Sequence, residues 1–141
     1  MLTLDKVYRA AFVLKDVARR TDLLYADRLN PSAKVYLKTE NLQVTGSFKL
    51  RGAYYKISQL NEEQRSAGVI ACSAGNHAQG VALAATKMGI RSTVCMPDGA
   101  PISKVEATKR LGAEVCLVKG TYDDASAYAV ELQKKTGATL V

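Results

Sequence analysis

Val69-Ile70-Ala71-Cys72-Ser73-Ala74-Gly75-Asn76-His77-Ala78-Gln79-Gly80-Val81 opens as a four-residue apolar run, passes through a small polar turn and enters a stretch of helical spacing that lasts to Met88. A short apolar run, a turn and then a helical period read as strand, loop and helix. The same order recurs downstream. Ser92 to Met96 precedes a helical pattern over Ser103 to Leu111, and Glu114 to Val118 precedes one over Asp123 to Lys135. Gly89, Gly112 and Gly137 each stand where a helix should stop. Buried strands alternating with helices predict an α/β fold, a parallel sheet flanked by helices with right-handed crossovers. Ligands of such sheets gather at the carboxyl ends of strands, and Ser73 to His77 lies at one.

This turn suits a small anion. Backbone N–H groups at a helix start are unpaired and the helix dipole favours negative charge there. Ser73, Asn76 and His77 add side-chain hydrogen bonding at the same place. The competing reading is an ordinary capped turn with Asn76 as cap. A dinucleotide loop is excluded, because no two of the ten glycines lie closer than five positions and neither GxGxxG nor GxxxxGK[ST] occurs.

Upstream, Thr45-Gly46-Ser47-Phe48-Lys49-Leu50-Arg51-Gly52-Ala53 places a lysine where another amphipathic helix begins, with apolar residues at 50, 53, 54, 57 and 60. Partial desolvation between Phe48 and Leu50 would make the neutral amine accessible, able to form a Schiff base with an aldehyde. The alternative is a solvated lysine whose stem covers apolar neighbours.

Composition narrows the class. With 48% hydrophobic and 23% charged residues, 141 residues are one domain's worth, with enough apolar side chains for a core. No apolar stretch reaches the roughly 18 residues that span a bilayer, and Met1 to Lys6 has no signal-peptide pattern, so cytoplasmic residence and no membrane partner are expected. Cys72, Cys95 and Cys116 each sit in or at the end of an apolar run, without CxxC or a nearby histidine. They read as buried strand thiols, and no metal site is expected. The net charge of +7 is concentrated early, with 11 Lys/Arg against 5 Asp/Glu in residues 1–60 and 9 against 8 in 61–141. The excess is scattered and lacks a nucleic-acid-binding motif, so no nucleic acid partner is expected.

Taken together, TGSFKLRGA and, about 25 residues later, SAGNHAQG resemble the pyridoxal-phosphate enzymes of the serine/threonine dehydratase family. The similarity extends through Lys38 to Asn41, Gly68 to Ala71, Met96-Pro97, Ser103 to Val105 and Leu111 to Val115. The resemblance implies a fold-type-II scaffold, like the tryptophan synthase β chain, and pyridoxal 5'-phosphate as cofactor. It implies that Lys49, preceded by Phe48, holds the cofactor covalently and that Asn76 hydrogen-bonds its 3-hydroxyl. By the same resemblance Ser73, Ala74, Gly75, Asn76 and His77 receive the substrate's α-carboxylate. Relatives that racemise serine carry a serine at the position of Ala74, where it exchanges a proton on the face opposite the lysine. Alanine has no such proton, which favours elimination from one face. The turn ACSAGNHAQGVA is most similar to that of threonine dehydratases, implying an amino-acid substrate, L-threonine, converted to 2-oxobutanoate and ammonia, with L-serine as a second substrate. Serine dehydration or racemisation on the same scaffold is the alternative.

Gly137 to Val141 reads as the start of another strand, and the family's pattern continues well beyond it. The chain therefore reads as an N-terminal fragment whose expected partner is the remaining C-terminal part of the same enzyme, the whole forming a homo-oligomer. The resemblance assigns residues 1–42 to the large catalytic domain and 43–141 to the small α/β domain that carries the lysine. A fragment of this kind is expected to be inactive by itself. A helix over Leu4 to Arg19 would expose the stripe Val7, Ala11, Leu14 and Ala18. Tyr54 and Tyr55 read as packing residues, Arg51 as a helix-surface or anion-steering group, and Asp123 and Asp124 as first-turn acids.

Overall fold

In the computed structural model, which describes residues 1–141, the chain starts with helix α1 (Leu4–Leu14) and an antiparallel pair, β1 (Leu23–Tyr25) and β2 (Tyr36–Lys38). A 3-10 turn (Glu40–Leu42), α2 (Lys49–Ser58) and α3 (Glu62–Ala67) follow. Then come β3 (Val69–Cys72), α4 (Asn76–Lys87), β4 (Ser92–Pro97), α5 (Ile102–Arg110), β5 (Glu114–Val118), α6 (Tyr122–Thr136) and β6 (Thr139–Leu140). From residue 69 onward every expected strand and helix is present, with boundaries that coincide or shift by at most two residues. Gly89, Gly112 and Gly137 take φ of 66°, 95° and 71° after their helices, a conformation that costs glycine no Cβ clash.

The four later strands form one parallel sheet in the order β5-β4-β3-β6. Period-two alternation divides their side chains between two faces. Val69, Ala71, Val94 and Met96 turn to one side and pack under α2, α4 and α5 with Ile57, Val81, Ala85 and Val105. Ile70 and Cys95 turn to the other side and pack under α6 with Ala129 and Ala138. Helix α4 is built of small residues, and Ala78, Gly80, Val81, Ala82, Ala84 and Ala85 are all buried. That composition lets it lie close to both the sheet and α2. Cys95 is buried as expected, whereas Cys72 and Cys116 are half-buried, since α6 centres on β4 and leaves the flanking thiols partly uncovered.

The region before residue 49 differs more from the sequence reading. The α1 ladder stops at Leu14 instead of reaching Arg19, and the physical reason lies at Gln43. Its buried side-chain amide accepts from the Arg19 N–H at 2.7 Å and donates to the Arg19 carbonyl at 3.0 Å. Those bonds hold Arg19 in place of a helical ladder. The exposed stripe on α1 is present, for no residue of that helix is buried and Val7 remains 48% exposed. Val7, Ala10, Ala11 and Leu14 line a groove against Gly52 and Tyr55 of α2.

The start of α6 is fixed by a capping box. Thr121 Oγ1 accepts from the Asp124 N–H at 3.3 Å and the Asp124 carboxylate accepts from the Thr121 N–H at 2.7 Å. Those bonds hold the Asp124 carboxyl below the usual carboxylate range. Because its folded pKa lies below its unfolded one, this contribution is present above pH 3.8 and fades as pH falls through the depressed value. Thr121→Ala is expected to cost about 1 kcal/mol in urea denaturation at pH 7. An unchanged midpoint at that pH would show the box to be ornamental.

Candidate functional site

Strands β3, β4 and β5 progress in one direction across the sheet, and β6 returns to the opposite side of β3. The strand order therefore reverses between β3 and β6, and a crevice opens beyond the carboxyl ends of these two strands. Ser73 to Gly75 follows β3 at this crevice, and Val141 follows β6. His77 bridges them, its Nε2 lying 3.0 Å from the Val141 carbonyl oxygen.

Lys49 is brought to the same crevice by a close approach of two helices. Gly80 in the interior of α4 lies against the backbone that starts α2. A Cβ added at Gly80 would stand 3.1 Å from the carbonyl carbon and oxygen of Lys49 and 3.2 Å from the Leu50 nitrogen. Asn76 precedes Gly80 by four residues, so it shares that helix face, roughly 6 Å nearer the N-terminus of α4. The first helical residues of α4 thus stand beside the first residue of α2.

Between them lies a cavity of about 410 Å³ whose lining includes Phe48, Lys49, Gly52, Lys56, His77 and Val141. It contains two lysine side chains and no Asp or Glu. The Lys49 Nζ sits 5.5 Å from the centre of the Phe48 ring, a cation-π contact. Lys49 itself is exposed, in contrast to the buried amine its neighbours suggested. The reason is its position at the helix start: Leu50 and Ala53 turn inward and are buried, while the lysine points along the mouth of the crevice.

Of the expected turn residues only His77 lines this cavity, while Ser73, Ala74, Gly75 and Asn76 lie outside its lining. Ser73 Oγ accepts from the Gly75 N–H at 3.3 Å, which shapes the turn, and the Ser73 N–H donates to the Cys95 carbonyl at 3.1 Å. Gly75, not Asn76, is the N-cap of α4, with φ −149° and ψ −141°. Asn76 is the first helical residue and is exposed. The N–H groups of Asn76, His77 and Ala78 have no carbonyl before them and point out of the helix start. Ala74 packs its methyl against the cluster of Ala78, Ala82, Val94 and Met96.

Several residues assemble here that the sequence reading did not single out. Lys56 lies seven positions after Lys49, two turns along the same face, and its spacing alone could have revealed it. Gly80 is a glycine inside a helical pattern, a sign of close backbone approach. Arg51, by contrast, turns away and pairs with Glu40, Nε to Oε2 at 3.6 Å. Tyr54 packs against the core beneath α2.

The geometry accommodates a phosphorylated aromatic aldehyde. Gly52 lines the cavity beside Lys49, and a Cβ placed there would meet nothing within 4 Å, so the space next to the amine is open. An amine for an aldehyde, one further cation on Lys56 for an anionic group and free N–H groups for a carboxylate are part of the donor set such a group and its substrate need.

Known proteins share this fold. A family model described as pyridoxal-phosphate dependent enzyme matches residues 14–141. An L-threonine ammonia-lyase of Thermotoga maritima is 52% identical over 143 residues, covering 100% of this chain and 36% of that protein. The structure of maize serine racemase superimposes with a TM-score of 0.91 at 34% identity, over 98% of this chain and 43% of the other. The processed form of threonine deaminase isoform 2 from Solanum lycopersicum gives a TM-score of 0.87 at 37% identity, over 99% of this chain and 40% of the other. The chain thus spans well under half the length of each.

Proposed function

Since this chain belongs to the pyridoxal-phosphate dependent enzyme family, we propose that it is part of a threonine ammonia-lyase that converts L-threonine to 2-oxobutanoate and ammonia. The observation that carries this reading is the contact of Gly80 with Lys49, which puts one amine and one anion-binding helix start at the same crevice. The 52% identity to a threonine ammonia-lyase supports the substrate.

In this reading Lys49 would hold pyridoxal phosphate through its Nζ, Phe48 would contact the cofactor, Asn76 would hydrogen-bond its 3-hydroxyl, and the turn at Ser73 to His77 would take the substrate carboxylate. When bound, the cofactor supplies an electron sink that acidifies the substrate's α-C–H bond. Lys49 Nζ, as a free amine, would accept the α-proton. The unpaired N–H groups of Asn76, His77 and Ala78 hold the carboxylate, fixing which face of the substrate meets that amine. Ala74 offers no proton on the opposite face, so the return of a proton there, which racemisation requires, has no donor at residue 74. Loss of the β-hydroxyl as water and later uptake of water to release ammonia balance the reaction.

We further assign residues 1–42 to a large catalytic domain and 43–141 to a small one. Lys49 and Asn76 are both exposed in the 141-residue chain, so it is proposed to retain the cofactor weakly and to be inactive alone. The whole protein, as a homo-oligomer in the cytoplasm, is proposed to supply the missing walls.

Turnover of L-threonine and L-serine by the full-length protein tests the substrate. L-threonine is expected to have the higher kcat/KM, with 2-oxobutanoate as product. A second reading, a serine dehydratase or racemase, draws support from the TM-score of 0.91 to serine racemase. Preferred pyruvate formation from L-serine, or the appearance of D-serine, would establish it instead.

A further inference from the structure

All three cysteines of the chain stand in one row across the sheet. In the parallel register Cys72 of β3 is the partner of Cys95 of β4, and Cys95 is the partner of Cys116 of β5. Alternation turns all three toward α6, where they join the apolar cluster of Ile70 and Ala129. None is in a disulfide. The two outer thiols are both half-buried but differ in surroundings. The Cys72 thiol faces the Tyr122 carbonyl at 3.9 Å. Cys116 lines a cavity of about 470 Å³ together with Arg91, Glu114, Tyr128 and Thr136, which gives small ions a route to it.

We propose that Cys95 and Cys116 form a two-coordinate site for a thiophilic d¹⁰ cation, of the chemical class of Cu(I) or Hg(II). Thiolates select soft ions of this kind. Neighbouring strands lie about 4.8 Å apart, and a straight sulfur-metal-sulfur unit with bonds of about 2.3 Å spans nearly that distance. A disulfide fits the spacing less well, because it draws the two Cβ atoms to about 3.8 Å. A tetrahedral zinc site is not available either, since no three His, Cys, Asp or Glu groups converge on one point.

Binding breaks two S–H bonds, forms two metal–sulfur bonds and releases two protons to solvent, with no change of oxidation state. The occupied pair would lie one backbone hydrogen bond from the anion turn, through the Ser73 N–H on the Cys95 carbonyl.

Mercuric chloride titrated into the reduced 141-residue chain tests this by near-ultraviolet charge-transfer absorbance and proton release. One equivalent is expected to bind tightly with two protons released. X-ray absorption of that wild-type complex should show two sulfurs at one distance. Cys72→Ser should leave the tight phase unchanged, while Cys95→Ser and Cys116→Ser, checked for folding by circular dichroism, should each weaken it at least 100-fold. The half-buried Cys116 variant and the wild-type spectrum decide the matter if Cys95→Ser fails to fold. A single sulfur in the wild-type spectrum, or loss of the tight phase in Cys72→Ser with its survival in Cys116→Ser, would overturn the proposal.

Discussion

Lys49→Ala is expected to abolish the covalent attachment of pyridoxal phosphate and to lower the activity of the full-length protein by at least roughly 10³-fold. General base catalysis alone accounts for about 10²- to 10⁴-fold, and this residue also carries the bond to the cofactor in our reading. The cavity beside it contains a second ammonium, on Lys56, two turns along α2. That neighbour makes the prediction sharp, since a surrogate amine is at hand. Borohydride reduction followed by peptide mapping distinguishes them. In the full-length wild type one label should appear, on the peptide containing Lys49, and none in the variant. In the 141-residue chain, where Lys49 is exposed, labelling should be substoichiometric. Stoichiometric label on Lys56 in the wild type would move the assignment two turns along the helix.

Gly80→Val should have the largest effect on the assembly of the site. A Cβ at residue 80 would sit 3.1 Å from the Lys49 carbonyl atoms, and backbone cannot rotate aside as a flexible side chain can. Either α2 or α4 must move. Overpacking of this kind costs about 2–3 kcal/mol, and on the order of 10 °C in Tm is expected for a domain of this size. The displacement also carries Lys49 away from Asn76 and His77, so the rate of borohydride labelling should fall even below Tm. Gly52→Ala is the matched comparison. Its Cβ meets nothing within 4 Å, and alanine is favoured over glycine in a helix by about 1 kcal/mol, so that variant should be as stable as the wild type or more so. Equal stability of Gly80→Val and wild type would mean that the helices have room to spare.

The parts of the fold that were legible share one property: each was decided by contacts near in sequence. Gly89, Gly112 and Gly137 mark helix ends because left-handed backbone is cheap for glycine, whatever surrounds it. Leu50, Ala53, Ile57 and Leu60 announce the buried face of α2 by their spacing. Helix α3 and the β1–β2 pair were missed for the same reason, the lack of a buried face. Residues 62–67 bury no side chain and so have no hydrophobic period to read, although the Asn61 to Gln64 capping box is a local signal that could have found them. Leu23, Leu24, Tyr25, Tyr36 and Leu37 are all exposed, so no alternation distinguishes their two faces. The end of α1 was misplaced because Gln43, 24 residues away from Arg19, competes for its backbone groups.

The sequence by itself determined the parallel α/β architecture, which follows from periods of two and 3.6 residues that need no partner to be read, and the presence at residue 74 of an alanine with no exchangeable side-chain proton. The resemblance of its two motifs, and not their periodicity, singled out Lys49 and the Ser73 to His77 turn as candidates. Only the tertiary structure decided that β6 returns beside β3 and opens the crevice there, that Gly80 lets α4 touch the backbone of Lys49, and that three cysteines more than 20 positions apart align in one row. Each of those depends on strand order, register or backbone contact between distant segments. Such relations are set when burial of apolar faces selects one packing among several that the local patterns allow.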